Sequence, residues 1–159
     1  MKILICSDTH SDNESLDELV RRHPKMDLYL HAGDSESDEF SIRPFLSVKG
    51  NCDYFSDLPY KRIIETPMGN LLIQHHPTPD YQIIKDYQVR FFVYGHTHMR
   101  RCEEIGSVLF LNPGSISFSR DNHPGSYIIM DISKEKYTID FYSLFDKNID
   151  VAKRKNKRS

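Results

Sequence analysis

Residues 2–10 have the sequence KILICSDTH, in which a short apolar run is followed at once by a polar turn. An isoleucine-rich run of this length predicts a buried β-strand over residues 2–6. The turn that follows carries Asp8 and His10. Because ligands of open α/β sheets collect outside the carboxyl ends of the strands, the stretch predicts a sheet with a candidate site after its first strand.

The same arrangement recurs along the chain. The further apolar runs, each with its turn, are residues 27–31 with Gly33-Asp34, residues 45–48 with the GNCD of 50–53, residues 71–74 with His75-His76, and residues 91–94 with the GHTH of 95–98. A single polar turn of this kind is usually structural. Several of them, each directly after a strand-like run, favour one shared site.

The remaining patterns predict helices and hairpins. A first helix, capped by Ser11 or Asp12, is expected to end before Pro24, because the residue before a proline avoids the helical region. A short second helix is predicted over residues 81–87. Further strands are predicted over residues 62–65, 108–111, 127–132 and 137–142. Parallel β-α units followed by hairpins predict an α/β fold with two mixed β-sheets packed face to face and flanking helices, a four-layer α-β-β-α sandwich.

Length and composition indicate an ordinary globular protein of 159 residues with a formal net charge of −2. We expect one domain over residues 1–150 and a solvated basic tail over residues 151–159. The apolar runs are far shorter than the roughly 20 residues needed to cross a bilayer, and no segment resembles a secretory leader. The three cysteines are widely spaced and favour neither disulfides nor a zinc finger. We therefore expect a cytoplasmic protein without a membrane partner.

Six side chains in these turns have the chemistry of metal ligands: Asp8, His10, Asp34, Asn51, His96 and His98. Imidazole, carboxylate and amide groups together suit first-row divalent ions. A single zinc site needs only about three or four ligands, so the larger set favours two ions bridged by one carboxylate, naturally Asp34. In extended chain, residues i and i+2 point to the same side, so each D-x-H or H-x-H pair is predicted to share an ion.

The motifs D-x-H at residues 8–10, G-D at 33–34, G-N-x-D at 50–53 and G-H-x-H at 95–98 resemble those of the calcineurin-like metallophosphoesterases in order and spacing. The short length and the NPGS of residues 112–115 are most similar to the small prokaryotic phosphodiesterases, whose relatives include the retromer scaffold subunit. The resemblance covers roughly residues 1–145. It implies a binuclear metal-dependent phosphodiesterase in which a hydroxide bridging the metals attacks a small phosphodiester.

The resemblance also implies two ligand sets that share Asp34. One ion is implied on Asp8, His10, Asp34 and His98, and the other on Asp34, Asn51, His75 and His96. His75 lies in the QHHP of residues 74–77, where small family members usually carry H-G-H, and it keeps the ligand position. Manganese is the implied ion, with zinc, nickel, iron(II) or magnesium as alternatives.

Three residues are candidates for direct action on the substrate: Asn51, Cys52 and His76. Large protein phosphatases of the superfamily carry a histidine at the position of Cys52, where it can protonate the leaving group. A thiol, with an ordinary pKa near about 8.5, is a poorer acid, so good leaving groups are expected to be favoured. His76 is the other candidate acid, or else a solvent-facing histidine.

The charges favour a small diester. Two divalent ions, two carboxylates and a hydroxide leave a net charge of about +1, which a diester monoanion neutralises and a monoester dianion exceeds. Glu36, Asp38 and Glu39 add negative potential, so a small phosphate ester is expected as partner rather than nucleic acid. Arg100 and Arg101 either hold an extra phosphate or lie on the surface. A homo-oligomer is compatible with the sequence.

Functions other than catalysis are also compatible with the sequence. A non-catalytic scaffold or a nucleotide-binding protein can use the same fold, but a scaffold would be expected to have lost some of the ligand residues. Asn112 and Ser115 either order the ligand loops or form an ordinary turn. The histidines without a partner at metal-site spacing are assigned structural roles: His23, His31 and His123.

Overall fold

The computed structural model describes residues 1–54, 56–122 and 124–144, and residues 153–157 as backbone only. Within this part of the chain the helices are α1 (Asn13–Arg22) and α2 (Tyr81–Asp86). The strands are β1 (Lys2–Cys6), β2 (Leu28–His31), β3 (Phe45–Ser47), β4 (Lys61–Thr66), β5 (Gly69–Gln74), β6 (Val89–Val93), β7 (Arg100–Ile105), β8 (Val108–Pro113), β9 (Ser126–Ile132), β10 (Lys136–Ser143) and β11 (Lys153–Lys157). Neither described helix has the length and apolar character that crossing a membrane requires.

The strands form two mixed sheets. The six-stranded sheet has the order β11-β10-β9-β1-β2-β3, and the five-stranded sheet has the order β4-β5-β6-β8-β7. Strands β1, β2 and β3 are parallel to one another, and so are β5, β6 and β8. After the second sheet is complete, the chain returns to the first, where β9 pairs antiparallel with β1. Parallel strands end at one edge of each sheet, so the turns after them are brought close together.

Three apolar layers hold the two sheets and the helices together. Alternate residues of the central strands, such as Ile3 of β1, fill the space between the sheets. The outer face of the six-stranded sheet packs Leu4 against Leu19 of α1. The outer face of the five-stranded sheet packs Phe92 against Ile83 of α2. Each fully buried side chain of this kind contributes about 1.5 to 3 kcal/mol, and the layering confirms the predicted four-layer α-β-β-α sandwich.

Helix α1 begins and ends where the sequence predicts. Asp12 is the N-cap, since its Oδ1 accepts a hydrogen bond from the Ser15 N–H at 3.3 Å. Arg21 and Arg22 lie in the last turn, where positive charge complements the helix dipole. The helix stops at Arg22, two residues before Pro24.

Two segments differ from the prediction. Strand β7 has no predicted counterpart, because its RRCEEI sequence lacks apolar alternation, yet it pairs with β8 across the turn at Gly106. The backbone of Lys153–Lys157, expected to be an unpaired basic tail, pairs antiparallel with β10 as β11. Residues 151, 152, 158 and 159 of the predicted tail lie outside the described residues. The division into a domain over 1–150 and a separate tail stays a prediction.

Candidate metal centre

The predicted ligands follow the carboxyl ends of five strands. Asp8 and His10 come after β1, Asp34 after β2, Asn51 after β3, His75 after β5, and His96 and His98 after β6. Hydrogen bonds join these turns directly: the Asp8 N–H donates to Gly33 O at 3.0 Å, and the Gly95 N–H donates to His75 O at 3.1 Å. The structure therefore brings all seven predicted ligands to one edge of the sandwich.

One group of ligand atoms comes from Asp8, His10 and His98. His98 Nε2 lies 3.2 Å from Asp8 Oδ1 and 3.4 Å from His10 Nε2. Asp8 Oδ1 and His10 Nε2 are 4.0 Å apart, so one ion can contact all three atoms. Phe118 O accepts a hydrogen bond from His98 Nδ1 at 2.8 Å, which turns Nε2 toward the group.

A second group comes from Asp34, Asn51, His75 and His96. His75 Nε2 lies 3.1 Å from Asp34 Oδ2 and 2.8 Å from Asn51 Oδ1. His96 Nδ1 lies 3.1 Å from the same Asn51 oxygen and 3.3 Å from His75 Nε2. Ala32 O accepts a hydrogen bond from His75 Nδ1 at 2.8 Å, so this ring also presents Nε2 to the group.

Neither of the two buried imidazoles, in its neutral form, presents an N–H group to the ligand atoms of the cluster. Backbone carbonyls only accept, so His75 and His98 donate from Nδ1, and each neutral ring then presents an Nε2 lone pair. The atoms facing these lone pairs are also acceptors, among them Asp34 Oδ2 and Asp8 Oδ1. Asp8 Oδ1 is buried and accepts no hydrogen bond from any described residue. Divalent cations would satisfy all of these atoms at once, so the residues present fit such ions.

The pKa shifts in the cluster have the same cause. Burial raises the pKa of Asp8, but attraction to His98 and His75, when either ring is protonated, outweighs burial and leaves the pKa lowered. Burial lowers the pKa of His75, but the neighbouring carboxylates of Asp34 and Asp8 outweigh it, so the pKa is raised. The carboxylate of Asp8 also raises the pKa of His98. Carboxylates that stay ionised beside imidazoles that attract protons form a site that attracts cations.

Five of the seven predicted ligands have a left-handed backbone conformation. The φ values are 53° for Asp8, 45° for His10, 62° for Asp34, 71° for His96 and 59° for His98. Residues other than glycine rarely adopt positive φ, and those that do cluster at functional sites. The backbone is therefore strained where the candidate ligands meet.

His96 and His98 lie in different groups, which disfavours the prediction that they share an ion. His98 Nε2 lies beside His10, whereas His96 Nδ1 lies beside Asn51. The i, i+2 rule applies to extended backbone, and neither histidine is extended. His10 and His98 lie together, and so do Asn51, His75 and His96, as the resemblance implies. Asp8 Oδ1 also lies 3.8 Å from His75 Nε2, so it is within reach of both groups, and metal binding by these residues with Asp34 as the bridge stays a prediction.

Two glycines allow close approach between the turns. A Cβ on Gly95 would overlap Ser7 Oγ and Asp8 Oδ2, and a Cβ on Gly50 would overlap Asp34 Oδ1. Only glycine fits such contacts without moving the neighbouring carboxylates. The glycines of the G-H-x-H and G-N-x-D motifs thus have a steric explanation.

Asp53 holds two of the ligand turns together, a role that the sequence analysis did not assign. Its Oδ2 accepts hydrogen bonds from the N–H groups of Asp34 at 2.9 Å and Gly50 at 2.7 Å. Its Oδ1 accepts a hydrogen bond from the Glu36 N–H at 2.8 Å. The available signal was its place in G-N-x-D, where a buried carboxylate can bind the backbone of the preceding turns.

Asn112 and Ser115 order the ligand loops, which confirms the functional reading of the NPGS segment. Asn112 Nδ2 donates to Gly95 O at 3.1 Å and to Thr97 Oγ1 at 3.0 Å. Ser115 Oγ donates to Asp8 O at 2.7 Å. Strand β8 thereby supports the turns that follow β1 and β6.

His23 and His31, two of the three histidines predicted to be structural, form hydrogen bonds within the fold. His31 is fully buried, with Nδ1 accepting from the Gly33 N–H at 3.0 Å and Nε2 2.9 Å from Thr9 Oγ1. Burial lowers the pKa of His31 to about 4, so the ring stays neutral. His23 Nε2 lies 2.8 Å from the Tyr127 hydroxyl. His123 lies outside the described residues.

The three candidates for direct action lie at the rim of the cluster. Asn51 turns its Oδ1 toward His75, and its Nδ2 lies 3.5 Å from Cys52 Sγ. The Cys52 N–H donates to Asp34 Oδ1 at 2.8 Å. Burial, with the charge of Asp34, raises the pKa of the Cys52 thiol, which makes it a weaker acid still. His76 is exposed, and its ring stacks on that of His96 with 6.2 Å between centroids.

Only part of the predicted acidic run faces the cluster. Glu36 Oε2 lies 3.6 Å from His10 Nδ1, and Glu36 and Asp38 line a cleft beside Cys52. Glu39 instead forms an ion pair with Arg62 at 2.8 Å, which neutralises its charge. The negative potential at the mouth therefore comes from two of the three carboxylates named in the sequence analysis.

Arg100 has neither of its two predicted roles, phosphate binding or a surface position. Its side chain is only 7% exposed, and Nε lies 2.7 Å from Asp121 Oδ2, so it is a buried ion pair rather than a surface or phosphate-binding residue. Arg101 pairs with Glu103 at 2.8 Å and lies over the ring of Phe110 on the outer face of the sheet. The guanidinium groups thus hold strand β7 in place.

Fold and site together define an α/β sandwich with a candidate metal centre, and comparison with known proteins gives its family. The family model for the calcineurin-like phosphoesterase superfamily domain matches residues 1–135. YsnB of Bacillus subtilis, described as a probable metallophosphoesterase, is 30% identical over 153 residues, which cover 89% of this chain and 90% of YsnB. The chain therefore belongs to the calcineurin-like phosphoesterase superfamily.

Other relatives agree with this family. Phosphodiesterase YfcE of Escherichia coli K12 is 28% identical over 95 residues, which cover 54% of this chain and 52% of YfcE. A solved structure from Streptococcus pneumoniae TIGR4, described as a predicted phosphoesterase, has a TM-score of 0.86 at 25% identity and covers 99% of this chain and 97% of that one. A Vps29 single mutant from Entamoeba histolytica has a TM-score of 0.72 at 24% identity over 100% of both chains, which shows a shared fold.

Proposed function

We propose that this chain is a binuclear metal-dependent phosphodiesterase that hydrolyses a small phosphodiester in the cytoplasm. The observation that carries the proposal is the convergence of buried acceptor atoms on one another, above all the unpaired Asp8 Oδ1 facing the Nε2 atoms of His75 and His98. The family and its phosphodiesterase-named relative support a phosphoester hydrolase. The presence of two ions is our inference from the two adjacent ligand groups.

The chain's own residues would hold the ions in fixed positions. Asp8, His10 and His98 would bind one ion, Asn51, His75 and His96 would bind the other, and Asp34 would bridge them. Two divalent ions, with Mn²⁺ the ion implied by the family, would supply a hydroxide near neutral pH and bind the phosphoryl oxygens. The carbonyls of Ala32 and Phe118 keep two of the imidazoles in the tautomer that leaves Nε2 unprotonated.

The charge at the mouth favours a diester over a monoester. Glu36 is partly exposed beside His10, and Asp38 lines the same cleft. Both repel a dianion more than a monoanion. The clefts that adjoin the cluster are lined by acidic as well as basic side chains, which also disfavours a long polyanion as partner.

A metal-supplemented activity screen tests this function. Generic diesters, monoesters and cyclic nucleotides are compared with wild-type protein and with Asp34→Ala as the negative control. We expect hydrolysis of diesters above monoesters, and a fall of at least about a thousandfold in kcat/KM for Asp34→Ala, because both ions lose their shared ligand. Full activity in Asp34→Ala would contradict the mechanism.

A non-catalytic scaffold or nucleotide-binding role is the second candidate. Vps29 has the same fold, and its name is not that of an enzyme. The likeness is one of fold alone, and one fold can serve several functions. Incubation with Mn²⁺ and candidate nucleotides, followed by product analysis, separates the two functions. Tight binding without turnover would favour the second candidate.

A further inference from the structure

A cleft of about 780 Å³ opens directly beside the second ligand group. Three candidate ligands, Asn51, His75 and His96, form its inner wall. This volume lies in the range of small-molecule sites, about 300 to 1,000 Å³. A phosphodiester held at the cluster would therefore place one of its two ester groups in the cleft.

Hydrogen bonds hold both side walls of the cleft. On one side the Lys49 N–H donates to Pro59 O at 2.8 Å, which closes the loop that carries Tyr54 and leads to Tyr60. On the other side Gln74 Nε2 donates to the backbone carbonyls of His76 at 2.8 Å and Thr78 at 3.0 Å. These hydrogen bonds fix the backbone of both wall segments.

Two tyrosines on the first wall have rings open to solvent. Tyr54 is 75% exposed and Tyr60 is 69% exposed, and both line the cleft. Aromatic rings presented beside a phosphate site stack on planar groups, since every nucleobase has a π-face. Aromatic rings can also bind a quaternary ammonium group by cation–π attraction.

The lysines of the cleft decide between these two ligands. Lys49 Nζ lies 5.5 Å from the centroid of the Tyr60 ring, and Lys61 lines the same cleft. The cleft also carries two carboxylates: Asp53 is buried and engaged by backbone N–H groups, and Asp80 accepts a hydrogen bond from the Gln82 N–H at 2.9 Å as the N-cap of α2. With both carboxylates engaged, the two ammonium groups of the cleft disfavour a cationic ester group over a neutral or anionic one.

We propose that this cleft binds a nucleoside-sized planar aromatic ester group, so that the substrate is a nucleoside phosphodiester. The inference rests on the proposed phosphodiesterase function and names its substrate class. A methyl or similarly small ester would leave most of the cleft unfilled and the exposed surfaces of Tyr54 and Tyr60 uncovered. Stacking on these rings, rather than contact with the candidate ligands, would supply the specificity.

Equilibrium binding of product-type ligands to the Mn²⁺-loaded protein tests the proposal without turnover. Uridine 5′-phosphate and ribose 5-phosphate differ only in the base, and phosphocholine carries the cationic alternative. By isothermal titration calorimetry we expect uridine 5′-phosphate to bind at least about tenfold more tightly than ribose 5-phosphate. Equal dissociation constants for these two, or tighter binding of phosphocholine, would overturn the proposal.

Single substitutions test whether the tyrosines cause the preference for the uridine ligand. Tyr60→Ala is expected to abolish the preference for the uridine ligand, and Tyr60→Phe to keep it, because the ring and not the hydroxyl stacks. Tyr81→Ala, at a residue that is 64% exposed and does not line this cleft, is the control. An unchanged preference in both Tyr60→Ala and Tyr54→Ala would overturn the proposal.

Diester hydrolysis without a base preference would refute this inference alone, whereas base-dependent binding without hydrolysis would refute the proposed function.

Discussion

Asp53 touches none of the candidate ligand atoms, yet its carboxylate accepts hydrogen bonds from the backbone of Asp34, Gly50 and Glu36. These bonds fix the turn from which Asp34 reaches the cluster. At the scale of single residues, the site therefore depends on buried groups that orient the ligands. Substitution of such a group typically lowers metal affinity or activity by about 10- to 100-fold.

Asp53→Asn is expected to lower metal affinity and kcat/KM by about 10- to 100-fold, because an amide can accept fewer of the three backbone hydrogen bonds. Metal affinity is measured by titration calorimetry and activity with bis(p-nitrophenyl) phosphate. Asp57→Asn makes the same chemical change at an exposed residue and should leave both unchanged. Wild-type values in Asp53→Asn would show that the turn holds its shape without that carboxylate.

His76 is expected to protonate the leaving group, because it stands exposed at the rim of the cluster beside His96. The acid is the imidazolium form, which transfers the Nε2 proton to the leaving oxygen and is left as a neutral ring. His76→Ala should slow hydrolysis of alkyl esters by about 10²-fold or more and of p-nitrophenyl esters only slightly. The measurement is kcat against leaving-group pKa, and parallel slopes for the two proteins would remove His76 from the mechanism.

The elements show what the sequence could and could not predict. Strands with alternating or continuous apolar residues, such as β1 and β6, were predicted with nearly their observed bounds. Strand β7 was missed, because its RRCEEI sequence shows no apolar alternation, although it pairs with β8 in a local hairpin. The ion pair between Arg100 and Asp121, which also holds β7, joins residues that no local pattern links.

This ion pair ties β7 to the segment that carries Asp121, and its strength depends on pH. Burial raises the pKa of Asp121, but the hydrogen bonds from Arg100 outweigh burial, so the folded-state pKa is lowered. The stabilisation is therefore complete above the unfolded pKa of about 3.9 and is lost as the pH falls through the lower folded pKa.

Asp121→Asn is expected to lower the free energy of unfolding by about 3 kcal/mol at neutral pH, because the buried Arg100 charge loses its partner. The deficit relative to wild type should shrink as the pH falls below about 4. Urea unfolding at a series of pH values measures it, with Asp17→Asn on the exposed side of α1 as the control. A deficit that is the same at pH 7 and pH 3 would mean that charge is not its cause.

At the scale of the whole molecule, the site exists only because both sheets end at the same edge. Asp8, His10, Asp34 and Asn51 come from the six-stranded sheet, whereas His75, His96 and His98 come from the five-stranded one. The sequence predicted which residues meet, because each follows a strand. The extended-chain rule did not predict how they divide, because the backbone is left-handed at His96 and His98.

The binuclear centre itself is tested most directly by loading metal-stripped protein with Mn²⁺ while recording heat of binding and hydrolysis of bis(p-nitrophenyl) phosphate. We expect two ions per chain, activity that appears as they bind and disappears again with chelator, and loss of the stoichiometry in Asp34→Ala. Full hydrolysis after exhaustive chelation, or a protein that binds no more than one ion and still turns over, would contradict it.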